Sequence, residues 1–341
     1  MMATALMILG TALVLVSLTD IVVSTLSTTG GGPVSMRIAG GLWHVALACH
    51  RRWRFDGLLK RCAPAMILLM IGVWLGGLCA GWLAIFSAFP DAVVDASTQA
   101  PAALADRLYF VGFSLVTLGT GDFVGGHAGW RIASTVCAFS GLFVVTLSLT
   151  YVMSVLSAAT EKRQLSILLH ALGEDTPGIL RRAWNGTDLG ALDDVLAQLA
   201  PQVALHAERH LAYPIVHFFH AVERRTALAV SVAALDDALT VVIDGLRSKE
   251  ASPNPLVVRA MREAISVLLD RAGRGPSGSE APAPDLAAMR GAGPPLKDDD
   301  RLRSVFEAAS ERRRHLAAYV GGQGHQWPWP QPSRARSGEV S

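Results

Sequence analysis

Three apolar runs, each long enough to cross a bilayer, constrain this chain more than any other feature of its sequence. They extend from about Thr4 to Leu26, from Pro64 to Phe89 and from about Gly129 to Ser157. A hydrocarbon core about 30 Å thick takes roughly 20 helical residues to cross. Lipid offers no partner to a backbone N–H or C=O, so apolar runs of this length fold as helices. The mean hydropathy of +0.37, with half the residues hydrophobic, fits a membrane protein carrying a soluble appendage. The expected class is therefore an all-α membrane protein.

The first run has no Lys or Arg ahead of it and no clear small-residue cleavage site behind it. It reads as a retained transmembrane helix rather than a secretory signal. Asp20 lies inside it, where an ionised carboxylate at mid-membrane costs roughly 2.5–3.5 kcal/mol. That cost predicts a carboxylate near the headgroups or paired with a basic residue, with a role in gating or ion passage as the alternative. Gly30-Gly31-Gly32-Pro33 ends the run.

The next segment holds Arg37, Arg51, Arg52, Arg54, Lys60 and Arg61 against one acid, Asp56. Ile38, Leu42, Val45 and Cys49 recur at helical spacing beside Trp43 and Trp53, which predicts an amphipathic helix at the membrane surface. After the second run, with Pro64 expected at its helix start, comes a loop carrying Asp91, Asp95, Asp106 and Asp122. The positive-inside rule puts the basic segment in the cytoplasm, the acidic loop outside and the N-terminus outside. Acids at an outer mouth would also concentrate cations. The four cysteines, Cys49, Cys62, Cys79 and Cys137, have no CxxC spacing and read as reduced and structural.

Between the second and third runs, Ala102 to Val116 is too short to span. Leu104, Leu108, Val111 and Leu115 mark one face, and a re-entrant helix entering from outside fits. It includes Phe113 and Ser114 and stops at Thr117-Leu118-Gly119-Thr120-Gly121-Asp122. A pore that strips a cation of water must supply replacement oxygens, and rings of backbone carbonyls do so without full charges. For successive carbonyls to point one way, alternate residues must leave ordinary dihedral space, which glycine does without steric cost. Gly119 and Gly121 stand at alternate positions. Thr117 would add a hydroxyl ring and Asp122 would anchor the outer end. In the third run Gly141 is either a bending point or a close-packing contact.

Beyond Glu161-Lys162-Arg163 the chain reads as soluble helices to about Ala272. The run from Leu228 to Leu246 is apolar enough to be mistaken for a fourth span, but Asp236, Asp237 and Asp244 would each cost up to about 3 kcal/mol in hydrocarbon. Gly273 to Pro295 lacks periodicity and predicts a linker. One amphipathic helix is expected from Asp300 to Val320, followed by a disordered tail containing Trp327.

Thr-x-Gly-x-Gly-Asp in this setting resembles the selectivity filter of pore-loop potassium channels, and Pro64 to Ser157 is similar to the pore of the bacterial two-transmembrane members. Ser114 and Thr117 match the lead into the filter, Gly119, Gly121 and Asp122 match its core, and Trp130-Arg131 resembles the start of the inner helix. Gly141 falls where the family has its gating hinge. The resemblance implies K⁺ as the permeant ion, a homotetramer in the bacterial inner membrane, and a gate where inner helices converge near Ser154 to Ala158. It implies a non-enzymatic protein with no cofactor, whose partners are copies of itself, lipid and monovalent cations, and no nucleic acid. The expected organisation is an N-terminal transmembrane helix (1–28), a basic cytoplasmic-side connector (29–62) and an ion-channel pore domain (63–160). A cytoplasmic helical domain (161–272), a flexible linker (273–300), an amphipathic helix (301–320) and a disordered tail (321–341) follow.

The sequence departs from the family at Thr120, where an aromatic usually braces the filter, and at Leu118, where Val or Ile is usual. A weakly selective monovalent cation channel is thus the alternative. No voltage-sensor arginine pattern and no GxGxxG after a strand is present. Two readings of another class are a non-conducting scaffold and a metal-binding membrane protein. The second would use His206 and His210, four apart, with His217 and His220, three apart, near Glu208 and Glu223. The same histidines could instead sense a ligand or pH.

Overall fold

The computed structural model describes residues 1–28, 30–53, 56–272 and 281–327. Its long helices are α1 (Met2–Leu26), α2 (Pro33–Trp53), α3 (Asp56–Phe86) and α5 (Ala128–Leu172), with the short α4 (Leu104–Leu115) between the last two. Strands β1 (Val93–Asp95) and β2 (Phe123–Gly125) make one antiparallel ladder, Val94 opposite Val124. The remaining helices are α6 (Thr176–Ala183), α7 (Leu192–Ala212), α8 (Leu228–Thr240), α9 (Pro255–Ala272), α10 (Leu286–Arg290), α11 (Asp299–Ala308) and α12 (Ser310–Gly322). The chain is an all-α membrane protein, and α1, α3 and α5 are long and apolar enough to cross a bilayer.

Two units are distinguished, Met1–His44 with Pro64–Leu156 and Val45–Ala63 with Ser157–Ser341. In the first, α1 and α3 meet through small residues. A Cβ at Gly10 would fall 2.5 Å from the Gly81 carbonyl oxygen, and one at Gly81 would fall 2.8 Å from Val14. Lipid supplies no hydrophobic drive between helices, so close backbone approach of this kind provides the packing energy instead.

Asp20 is almost fully buried in this contact, at 2% exposure. Its partners are neutral donors rather than the basic residue that the sequence reading offered as one alternative. The Trp74 indole donates to Oδ2 at 2.8 Å, the Val34 amide to Oδ1 at 2.8 Å, and the Ser35 amide and hydroxyl to Oδ2. Asp20 therefore serves the otherwise unpaired first amides of α2. Gly32 carries no side chain because Asp20 occupies that space.

Other boundaries also differ from the sequence reading. Helix α3 begins at Asp56, which puts Pro64 inside it rather than at its start. Helix α5 continues past Ser157 to Leu172, about 67 Å at 1.5 Å per residue and more than twice a hydrocarbon core. Its extension from Ser157 belongs to the second unit.

In that unit α8 is the central helix, buried on every side. Its two acids are held by arginines. Asp236 receives both Nε and Nη2 of Arg312 at 2.7–3.0 Å, and Asp237 receives Nε and Nη2 of Arg313 at 2.9 and 3.1 Å. Burial pushes the Asp237 carboxyl up, against the pull of Arg313. The run is apolar all round because protein surrounds it.

The single helix expected over 300–320 is two, α11 and α12, meeting at Ala309. Within the expected linker, residues 286–290 form α10, and Met289, Ala292 and Leu296 join the hydrophobic core. Residues 273–280 and 328–341 lie outside the described residues, so part of the linker and most of the tail fall there. Trp327 packs against the core and over the Arg313 guanidinium.

Candidate functional site

The first unit brings the Thr117–Asp122 stretch to the carboxyl end of α4. That helix starts beside Asp106, whose carboxylate accepts from the Ala103 amide at 3.3 Å, and one face buries Phe110, Val111 and Phe113. It stops because Thr117 turns left-handed, φ 57°. The Thr117 amide then donates to the Ser114 carbonyl at 3.0 Å and the Leu118 amide to the Phe113 carbonyl at 2.8 Å. Phe113 and Ser114 are thus the last residues whose carbonyls hold the loop onto the helix.

From there the backbone alternates. Thr117, Gly119 and Gly121 have φ of 57°, 62° and 83°, while Leu118 and Thr120 between them stay out of the left-handed region. A Cβ added at Gly119 or Gly121 would meet nothing, so open space does not require these glycines; the dihedral does. Thr117 adopts the same conformation with a β-branched side chain, at a cost of order 1–3 kcal/mol. The side chain of Leu118 is 68% exposed in the single chain, and Thr120 is exposed too. The Thr120 hydroxyl donates to Asp122 Oδ1, and Asp122 also accepts from the Phe123 amide at 3.2 Å.

Three supports hold this loop, and the sequence pointed to none of them in advance. The first is the ladder. Strand β2 leaves the loop directly and pairs with β1, and the Ala96 amide donates to the Asp122 carbonyl at 2.9 Å. The second is aromatic. Tyr109 packs edge-on against Phe113 at 5.2 Å and Phe123 at 6.3 Å, so rings stand behind the loop although residue 120 is not aromatic. Their spacing of four in α4 is the signal that could have revealed them. The third is Arg107, 7% exposed, which donates to the carbonyls of Ala102, Phe86, Phe89 and Pro90. One guanidinium thereby closes the end of α3 and fixes α4 to it.

Gly141 lies on α5 directly against the end of α4. A Cβ there would overlap the Leu115 carbonyl oxygen and lie 2.7 Å from its carbon. Close approach by itself requires glycine at this position, and α5 runs through it without a break. Beside it, Ser140 accepts from the Trp82 indole at 3.0 Å, joining α5 to α3.

The four histidines lie in the second unit. His206 and His210 are buried on α7, ring centroids 6.0 Å apart, with His217 5.3 Å from His210. His217 and His220 instead reach backbone carbonyls, those of Gly322 at 3.2 Å and Gln323 at 2.9 Å. Among the described residues no group of three or more His, Cys, Asp or Glu is placed to hold a metal ion. Burial holds His206 down to about 3 and His210 well below the usual imidazole range, so both are neutral bases.

Comparison with known proteins covers the same ground. Residues 64–158, from α3 through the loop to α5, match the family described as "Ion channel". The chain is also 28% identical over 304 residues to the "Uncharacterized membrane protein YdjJ" of Bacillus subtilis (strain 168), an alignment covering 88% of each chain. No solved structure matches it.

Proposed function

We propose that this chain, a membrane protein whose residues 64–158 match the ion-channel family, assembles as a homotetramer and conducts K⁺ passively. Such a family points to a non-enzymatic, transporter-like role. One observation carries the finer reading: left-handed backbone at Thr117, Gly119 and Gly121, alternating with Leu118 and Thr120 at the end of a half-length helix. Alternation of that kind turns successive carbonyls toward one side, where four copies around an axis would replace a cation's hydration shell. Irregular backbone at this depth is tolerated where it is buried or lines water, which supports a central pathway for the exposed loop. The carboxyl end of α4 presents the negative end of its dipole to the same place. Gly141 is the proposed hinge only in the sense that its packing against Leu115 couples α5 to the filter's base.

Self-assembly is supported by an apolar stripe on α5. Ile132, Val136, Phe139, Leu142, Val145, Leu149, Met153 and Leu156 recur at steps of three and four, and all are exposed in the single chain. A seam of that period suits helix against helix around an axis. The charge distribution supports an N-terminus outside and the second unit in the cytoplasm, and the channel resemblance supports the bacterial inner membrane.

A weakly selective cation channel is the second reading, favoured by Thr120, which is not aromatic and whose hydroxyl engages Asp122. The test is Rb⁺ uptake into liposomes by purified protein and by Gly119→Ala and Gly121→Ala. Both substitutions force a side chain onto positive φ, so flux should vanish while the tetramer persists on native gels. Unchanged flux in both variants would remove the filter assignment.

A further inference from the structure

Lys162 is buried, 5% exposed, just past the apolar part of α5. Its Nζ lies within hydrogen-bonding distance of three acceptors, the carbonyls of Val216 at 3.1 Å and Phe219 at 3.2 Å and Gln323 Oε1 at 2.9 Å, of which the neutral amine can serve two. All three acceptors are neutral, and among the described residues no carboxylate pairs with it. A buried cation held by dipoles alone is costly, and its cheapest escape is to lose the proton.

Its surroundings do not offset that cost. Helix α7 contributes His206 and His210, and its Arg209 is taken by Glu161. The segment after α7 contributes His217 and His220, and the end of α12 contributes His325, which also feels Arg224 and His50. Lys162 also lines a cavity of about 180 Å³ together with Lys60, Arg163 and Glu223, and Glu223 is held by Arg225 at 2.6 Å. The groups facing Lys162 are therefore cations, committed carboxylates or imidazoles, of which His206, His210 and His325 are held neutral by burial.

We propose that Lys162 is a proton-sensitive latch, fastening the cytoplasmic extension of α5 to the turn at Pro214–Phe218 and to Gln323. Fastened, the Lys162 amino group is buried; released, it is an ordinary exposed lysine. Burial holds its titration down to about 7, against 10.5 for a free lysine. Between those two values the released form binds the proton and the fastened form does not. The latch thus tightens as pH rises from about 7 and loosens as pH falls toward it, by up to tenfold per unit. The histidines add the same sign: His206, His210 and His325 are all held down by burial, so acid below their ordinary value of 6.5 also favours release. Because α5 is unbroken from Ala128 to Leu172, the latch acts on the helix that carries Gly141.

The latch stands on the second unit alone, and only its consequence for flux rests on the channel reading. Amide hydrogen exchange on the full chain in lipid nanodiscs tests it without reference to conduction. The reporters are the amides of Phe219, bonded to the Val216 carbonyl, and Gln323, bonded to the Tyr319 carbonyl. After correction for intrinsic exchange, their protection should rise by about tenfold or more between pH about 7 and about 8.5. Lys162→Met, which cannot be protonated, should remove that slope, and Lys162→Arg, charged throughout, should show low protection at both pH values. Equal wild-type protection at the two pH values, or an undiminished slope in Lys162→Met, would overturn the latch. Should Lys162→Met fail to fold, the wild-type slope set against a flat Lys162→Arg decides in the same way.

Discussion

Gly141 of α5 rests directly on the Leu115 carbonyl at the end of α4, with no room for a methyl group between them. The contact ties the base of the Thr117–Asp122 loop to the long helix that leaves the membrane. Two effects compete when alanine replaces this glycine. Helix propensity favours Ala by about 1 kcal/mol. Overpacking against backbone, which cannot rotate away, costs about 1–3 kcal/mol. Backbone is the stiffer neighbour, so overpacking should win. Gly141→Ala is expected to lower the thermal midpoint of the purified protein and reduce flux; an unchanged or raised midpoint would show that α4 and α5 are not in this contact.

Asp20 is expected to act through its hydrogen bonds. Asp20→Ala leaves the Trp74 indole, the Ser35 hydroxyl and the Val34 amide without their acceptor, each buried orphan costing about 1–3 kcal/mol. Asp20→Asn keeps one acceptor oxygen and should cost less. Thermal melts in detergent should rank wild type above Asn above Ala. An Asn variant as damaged as Ala would mean the charge, not the acceptor, is what α1 needs.

The buried ion pairs of α8 should be strong only as pairs. Arg313→Ala abandons Asp237 at 4% exposure, a loss of about 3–5 kcal/mol. Replacing both residues with leucine should recover most of it, because a packed apolar pair avoids the desolvation of two charges. Urea melts of the full protein, followed at Trp327 over Arg313, would read both. A double variant as unstable as the single would locate the cost in lost packing instead.

The periodicity of the sequence made the spans legible because lipid leaves an apolar chain few choices, and the half-length helix and alternating glycines were legible for the same reason. Asp236 and Asp237 marked α8 as a helix outside the membrane, but their partners Arg312 and Arg313 lie some 76 residues away and nothing local joins them. Asp20 and Trp74 are separated by 54 residues and meet only because α1 packs on α3. Arg107 looked like one loop charge among several; its role is set by carbonyls whose position depends on where α3 ends. The segment near 286–300 lacked periodicity because it covers a finished core rather than forming one face of a helix. Local pattern reports what a residue prefers, and these residues take their roles from remote chain.

The reversal potential of purified protein in planar bilayers, in a K⁺/Na⁺ gradient, tests the central claim most directly. The account predicts current that reverses near the K⁺ equilibrium potential and is lost in Gly119→Ala. Reversal near zero would contradict K⁺ selectivity and leave the weakly selective reading. An absence of wild-type current at every voltage and pH tried would contradict conduction itself.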